Sequence, residues 1–452
     1  MCAKLGAMCP PMYRRCLLAG FALVLALAFV GLPALRAASP PLFSQIIVFG
    51  DSLSDTGNDA NVSKGDYDVT FPGEDFNYTT GRFTNGDDTN PPSTVYKGVW
   101  HEQLARLFLG IPSATNSLNG GMDYAYGGAT TNNGTMSLSP NSTIAKDLDV
   151  SITIDNMGAQ ITDYLNHNST DANALYIVWG GANDLFDNGT SENAVAAADR
   201  ETALIKRLAE AGAVTFLVPN LPPLGATPNY NTSPHDSAEI NQSTIDFCTE
   251  LNSDLNTLET NLAAAGRKVK IYRLDVFDLF GRLLMNQYAY GFLNITDSAQ
   301  GMSVKADTYL FWDDVHPTVA GHYQLAAEAY SVLTGTPVVE INVAPGGTLN
   351  SRGALSIFYL TRTGEDLTTT LKVPYTTGGT AKPETNYVEL PGERNLKAGK
   401  QTVTIAVDEG TVPPVKPAKT ISLKIVAGDG YVLPAVPTAT VKLLPQPTPS
   451  GD

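Results

Sequence analysis

Histidine is scarce in this chain, with five residues among 452, so a reaction needing a general base near neutral pH has few places to run. His316 lies in Phe311-Trp312-Asp313-Asp314-Val315-His316-Pro317-Thr318, just ahead of a segment with helical spacing. Asp313, three residues earlier, can fold back to accept from the imidazole Nδ1–H, which leaves Nε2 free as a base. Asp and His before a helix serve equally well as caps, so the pair alone does not assign a role. A hydroxyl for such a base to activate stands in Phe49-Gly50-Asp51-Ser52-Leu53-Ser54-Asp55-Thr56-Gly57-Asn58. Ser52 follows a short apolar run, and Gly50 eases the exit from a strand. There it would occupy the carboxyl edge of a sheet, where ligands bind in open α/β sheets. The alternative is a serine that caps the next helix.

Two further segments supply donors for a developing negative charge. Tyr124-Ala125-Tyr126-Gly127-Gly128-Ala129-Thr130 offers backbone N–H groups that no side chain obstructs. Trp179-Gly180-Gly181-Ala182-Asn183-Asp184 puts an Asn amide just beyond another strand. Hydroxyl, base, orienting acid and oxyanion donors are the parts of nucleophilic acyl transfer.

These segments, taken in order, resemble the four blocks of the GDSL branch of the SGNH hydrolases, the bacterial lipase/esterase type. The resemblance runs from about residue 45 to 334 and includes Gly81-Arg82-Phe83-Thr84-Asn85-Gly86 and the stretch Asn220 to Pro228. It implies Ser52 as nucleophile, Gly127 N–H and Asn183 as oxyanion donors, and Asp313 and His316 as the rest of the triad. Asp51 and Asp184 are assigned to local hydrogen bonding, and His322, on the following helix, to packing or the surface. It also implies a flavodoxin-like three-layer α/β/α sandwich that hydrolyses carboxylic esters and needs neither cofactor nor metal. The substrate would be a small-molecule or lipid ester, or an acylated carbohydrate. Two other readings stay open: an acyltransferase with the same triad, and a carbohydrate- or surface-binding protein.

The elements that must position these residues follow from patterning. Apolar runs at 44–49, 174–179, 213–218 and 269–274 alternate with helix-like segments at 154–166, 192–211, 240–264 and 318–334. Strands spaced by helices predict a parallel sheet covered on both faces. The stretch 58–96, rich in Gly, Asn, Asp, Thr and Pro, reads as a long ordered loop, and loops of that length tend to be functional. After residue 336 the pattern changes to alternating Thr/Val-rich runs at 353–360, 367–375, 401–407, 420–426 and 438–444, broken by Gly and Pro turns. They predict an all-β sandwich over 337–452, ending in a Pro-rich tail. Thr361-Arg362-Thr363-Gly364, Tyr375 to Ala381 and Asn386-Tyr387 resemble a Calx-beta module. Some modules of that kind bind calcium through clustered acids. Here Asn386 replaces the usual Asp and the loop 410–419 carries Pro, Val and Lys, so calcium is not expected; a surface contact is the simpler role.

Residues 1–37 read as a secretory signal: Arg14 and Arg15, an apolar run from Cys16 to about Leu32, then small residues. The alternative is a retained membrane anchor. Export would leave the hydrolase over 38–336 secreted or periplasmic, with Cys248 alone among four cysteines in the mature chain. The net charge is −16, and the whole negative excess lies before residue 337. An acidic body of this kind repels phosphate backbones, which argues against nucleic acid as a partner.

Overall fold

The computed structural model describes residues 41–85, 95–139, 149–345, 354–408, 410 and 418–443. The leader at 1–37, the tail at 445–452 and most of the loop 410–419 lie outside these residues. In chain order the first strands are β1 (Ile46–Gly50), β2 (Thr135–Leu138), β3 (Ile152–Asp155), β4 (Leu175–Trp179), β5 (Thr215–Pro219), β6 (Lys270–Leu274), β7 (Asn294–Ser298) and β8 (Tyr309–Phe311). The α-helices are α1 (Asn58–Tyr67), α2 (Trp100–Gln103), α3 (Met157–His167), α4 (Ala182–Asp187), α5 (Ser191–Ala211), α6 (Pro234–Ala264), α7 (Val276–Met285) and α8 (Val319–Thr334).

Strands β1, β4, β5 and β6 form a parallel sheet in that order. All five residues of β1 and of β4 are buried, as a sheet covered on both faces requires. Alternation along each strand divides them between two cores. Ile47, Phe49, Tyr176, Val178, Phe216 and Val218 pack with α3, α5 and α6. Ile46, Val48, Leu175, Ile177, Trp179 and Leu217 pack on the opposite face with Trp100, α7 and α8. The result is an α/β core with helices on both faces of a parallel sheet.

On its free side β1 pairs with an extended segment: Val48 N donates to Met122 O at 2.9 Å and Tyr124 N donates to Val48 O at 2.8 Å. The chain therefore runs to one side of β1 through residues 122–126 and to the other through β4. That reversal opens a crevice at the carboxyl end of β1, where open α/β sheets bind ligands.

Residues 58–85, within the stretch expected as a loop, are more structured than a loop. Asn58–Tyr67 is helical, and Asn58, Asp59, Ala60 and Ser63 are its buried residues. Three of the four are polar, so no apolar stripe marks the helix in the sequence.

Beyond α8 lie β9 (Val339–Val343), β10 (Ala354–Arg362), β11 (Leu371–Gly379), β12 (Glu393–Leu396), β13 (Thr402–Asp408), β14 (Lys419–Ile425) and β15 (Thr438–Leu443). They build two antiparallel sheets, ordered β13-β10-β9 and β12-β11-β14-β15. One core holds residues of both, among them Phe358, Leu360, Val373, Leu396, Leu423 and Val441. Among the described residues no helix is long and apolar enough to cross a membrane.

Candidate active site

Ser52 sits in the turn that leaves β1. The turn is closed by Ser54 N and Asp55 N, each donating to Asp51 O at 3.0 Å, and by Leu53 N donating to Asp51 Oδ1 at 3.0 Å. Gly50 is required there, because a Cβ would lie 2.5 Å from the carbonyl oxygen of Trp179. Burial pushes the Asp51 carboxyl up to about 6, against the Leu53 N–H bond that favours its charge.

His316 reaches Ser52 from the loop between β8 and α8. Its Nε2 is 2.7 Å from Ser52 Oγ, and its Nδ1 is 2.6 Å from Asp313 Oδ2. An ionised carboxylate can only accept, so Nδ1 carries the proton and Nε2 is left to accept from the serine hydroxyl. The other Asp313 oxygen accepts from Val315 N at 2.9 Å and His316 N at 2.7 Å, which folds the loop back on itself. Burial alone would raise the Asp313 carboxyl. The charge of His316 and these hydrogen bonds outweigh it and hold the group below the usual carboxylate range. Capping of α8 falls instead to Thr318, whose Oγ1 accepts from Gly321 N at 3.2 Å.

Asn183, the second residue of α4, lines the same cleft as Ser52 and gives one amide hydrogen to Ala129 O at 3.0 Å, leaving the second free to point elsewhere. Asp184 anchors that corner by accepting from Thr131 N and Thr131 Oγ1 at 2.9 Å and from Arg200 at 2.8 Å. Asp51 and Asp184 thus make the local hydrogen bonds expected of them.

The Gly127 N–H does not face the crevice as expected. It donates to buried Asp55 Oδ2 at 3.3 Å. Residues 126–129 form a β-turn closed by Ala129 N donating to Tyr126 O at 3.2 Å, with Gly128 at φ 80°. A positive φ at the third position of such a turn calls for glycine. Among the described residues neither the Ser52 N–H nor the Gly128 N–H has a protein acceptor.

Around Ser52, Asn183 and His316 the walls are apolar: Leu53, Phe186, Pro223, Leu224, Phe280 and Val315 are among them. The cleft encloses about 580 Å³ with its open mouth. His322 is fully buried instead of lying at the surface, and its Nδ1 accepts from Trp100 N at 3.3 Å. Burial pushes its imidazole down to about 3, so it stays neutral packing.

Two residues to which the sequence assigned no role, Tyr78 and the Phe83 of the 81–86 segment, touch the His316–Asp313 pair. The Tyr78 hydroxyl donates to Asp313 Oδ2 at 2.7 Å. The Phe83 ring lies over the His316 imidazole, with centroids 5.1 Å apart and planes tilted by 33°. Their partners are more than 230 positions away in the chain, and nothing local in the sequence links them.

Residues 46–329 match the GDSL-like lipase/acylhydrolase family, and the chain belongs to it. It is a carboxylic ester hydrolase. A phosphatidylcholine-sterol acyltransferase of Aeromonas hydrophila is 28% identical over 61% of this chain and 71% of its own. A GDSL esterase/lipase of Arabidopsis thaliana is 26% identical over 63% of this chain and 86% of its own. The thermolabile hemolysin of Vibrio parahaemolyticus is 26% identical over 64% of this chain and 64% of its own. Among solved structures, a G-D-S-L lipolytic protein of Veillonella parvula is 14% identical over 64% of this chain and 97% of its own, with a TM-score of 0.33. The apo CBD1 domain of Calx is 20% identical over 24% of this chain and 96% of its own, with a TM-score of 0.20.

Proposed function

We propose that Ser52 is the nucleophile, His316 its general base and Asp313 the acid that orients the base. The observation that carries this reading is the continuous Asp313–His316–Ser52 hydrogen-bonded chain at the floor of an apolar cleft. Nε2 of His316 takes the Ser52 proton as Oγ attacks the ester carbonyl, and the imidazolium that forms is stabilised by Asp313. The second amide hydrogen of Asn183 and the N–H groups of Ser52 and Gly128 hold the oxyanion. Gly128 takes the place first given to Gly127, whose N–H is turned to Asp55. His316 then protonates the leaving alcohol and activates the water that frees the acid.

The apolar walls favour an acyl chain over a polar group on the acid side of the ester, and hence a lipid or other acyl ester. Transfer of the acyl group to an alcohol instead of water uses the same acyl-enzyme, and the similarity to the Aeromonas acyltransferase favours it as the second reading. The leader pattern at 1–37 supports export to a secreted or periplasmic location. The signature residues around Thr361 to Tyr387 support a Calx-beta-like module whose role is contact with a surface.

The test is hydrolysis of p-nitrophenyl esters from acetyl to palmitoyl by the wild-type protein and its Ser52→Ala variant. Turnover should vanish in the variant, and the chain-length optimum should report the reach of the cleft. Undiminished turnover by folded Ser52→Ala would remove the serine from the mechanism.

A further inference from the structure

The segment from Phe71 to Asn85 closes on the loop that carries His316 from several directions. Tyr78 pairs with Asn85 across a narrow turn, and both ends of that turn grip the loop. At one end the Tyr78 hydroxyl donates to Asp313 Oδ2, the same oxygen that faces His316 Nδ1. At the other, Thr84 Oγ1 donates to Pro317 O at 2.9 Å and Asn85 Oδ1 accepts from Val319 N at 2.7 Å. Between them Phe83 covers one face of the imidazole, and behind it Phe71 stacks edge-on against Tyr78, Phe76 and Phe83. Tyr78 is 3% exposed and Phe83 fully buried, so rotamers here are set by packing.

A hydroxyl fixed in this way does more than fill space. The Asp313 oxygen beside Nδ1 accepts from two donors, and the direction of the tyrosine donor constrains where the carboxylate can sit. A donor on that oxygen also withdraws part of the negative charge that the imidazolium feels. We infer that Tyr78 is a positioning residue for the His316 base, acting through Asp313 to set both its orientation and the pH range over which it works. The inference rests on the Ser52–His316–Asp313 reading above and extends it by one side chain.

The experiment compares wild type, Tyr78→Phe, Asp313→Asn and the double variant on p-nitrophenyl butyrate. Active sites are counted with a p-nitrophenyl phosphonate, so that any loss of folded protein is divided out. Removing a hydrogen bond to a charged group should lower kcat about 10-fold with KM nearly unchanged. Without the tyrosine donor, more charge faces Nδ1, so the acid limb of the kcat/KM profile should move to higher pH. Asp51 and His322, the other titratable groups that act electrostatically on His316, are the same in both proteins. In the Asp313→Asn background Tyr78→Phe should have almost no further effect, because the group it acts through is gone. A wild-type kcat and an unmoved profile for Tyr78→Phe would overturn the inference, and so would an equal loss in both backgrounds. Ser52→Ala run alongside separates the failures: residual turnover there undoes the triad reading, whereas its loss with a normal Tyr78→Phe undoes only the role of Tyr78.

Discussion

At the scale of single residues, the carboxyls around the site are kept in opposite states by their surroundings. Asp313 is ionised because His316 and two backbone N–H groups compensate for its burial. Glu201, on α5, is fully buried, and neither of its carboxylate oxygens has a hydrogen-bond partner among the described residues. Burial, with the charges of Asp184 and Asp51 added, pushes its carboxyl well above the usual range. The sign of the consequence follows from linkage. Below the unfolded-state value, about 4.3, both states hold the proton and the group contributes nothing to the pH dependence. As pH rises past that value the unfolded chain ionises while the folded one keeps its proton, so stability falls. The loss continues at about 1.4 kcal/mol per pH unit until the folded group ionises too. Glu201→Gln should therefore gain on wild type as pH rises above about 4.3 in urea titrations. A gap between the two proteins that does not change with pH would mean that Glu201 has a compensating partner.

At the scale of elements, helix α8 begins three residues after His316, and its first turn holds the end of the catalytic loop. Thr318 does two things there. Its Oγ1 accepts from Gly321 N at 3.2 Å as the helix cap, and it donates to Tyr309 O at 2.8 Å on β8. Thr318→Ala removes both bonds and should cost about 1 kcal/mol or somewhat more in stability. Equilibrium unfolding in urea measures this, and a variant as stable as wild type would show that the loop is held without the cap. Much of this architecture was legible beforehand. The four sheet strands announce themselves as apolar runs, and α3, α5 and α8 lie within three residues of their expected bounds, because burial on a sheet face imposes period and length. Helix α6 begins six residues before its expected start, at Pro234, where Ser233 caps it ahead of the first apolar residue of the stripe. Helix α1 was not legible, since three of its four buried residues, Asn58, Asp59 and Ser63, are polar; Asn58 and Ser63 bond inward to the Asp123 and Phe71 carbonyls. The turn at Gly127-Gly128 was half legible. Two glycines signal a backbone that must present donors, but which N–H turns to the crevice depends on Asp55, a contact no pattern in the chain reveals. Tyr78 was invisible for the same reason, its partner lying 235 positions away.

At the scale of the whole molecule, the catalytic body and the C-terminal sheets share α8, and residues 41–452 form one compact unit. Along the seam Glu328 lies between Arg282 at 2.9 Å and the Gly364 N–H at 3.0 Å. Gln324 donates to Glu340 Oε2 at 3.1 Å, and Asn342 donates to Ala289 O at 2.9 Å. Ser331 is hydrogen-bonded to Thr363, and Val338 packs with Tyr323 and Ala327 on the same helix. Separating the two parts would break these hydrogen bonds, each worth about 0.5–1.5 kcal/mol net and more where a charge takes part, and would expose the apolar contact of Val338 with α8 to water. The helix that would be stripped is also the one that seats the His316 loop. The intact chain should therefore unfold in one calorimetric transition, and esterase activity should be lost over the same temperature range. Glu328→Gln, which leaves Arg282 with a weaker partner on the seam, should lower that single transition without splitting it. Two resolved transitions in the wild-type protein, with activity following only the first, would show that the seam transmits no cooperativity and that the C-terminal sheets fold independently of the enzyme.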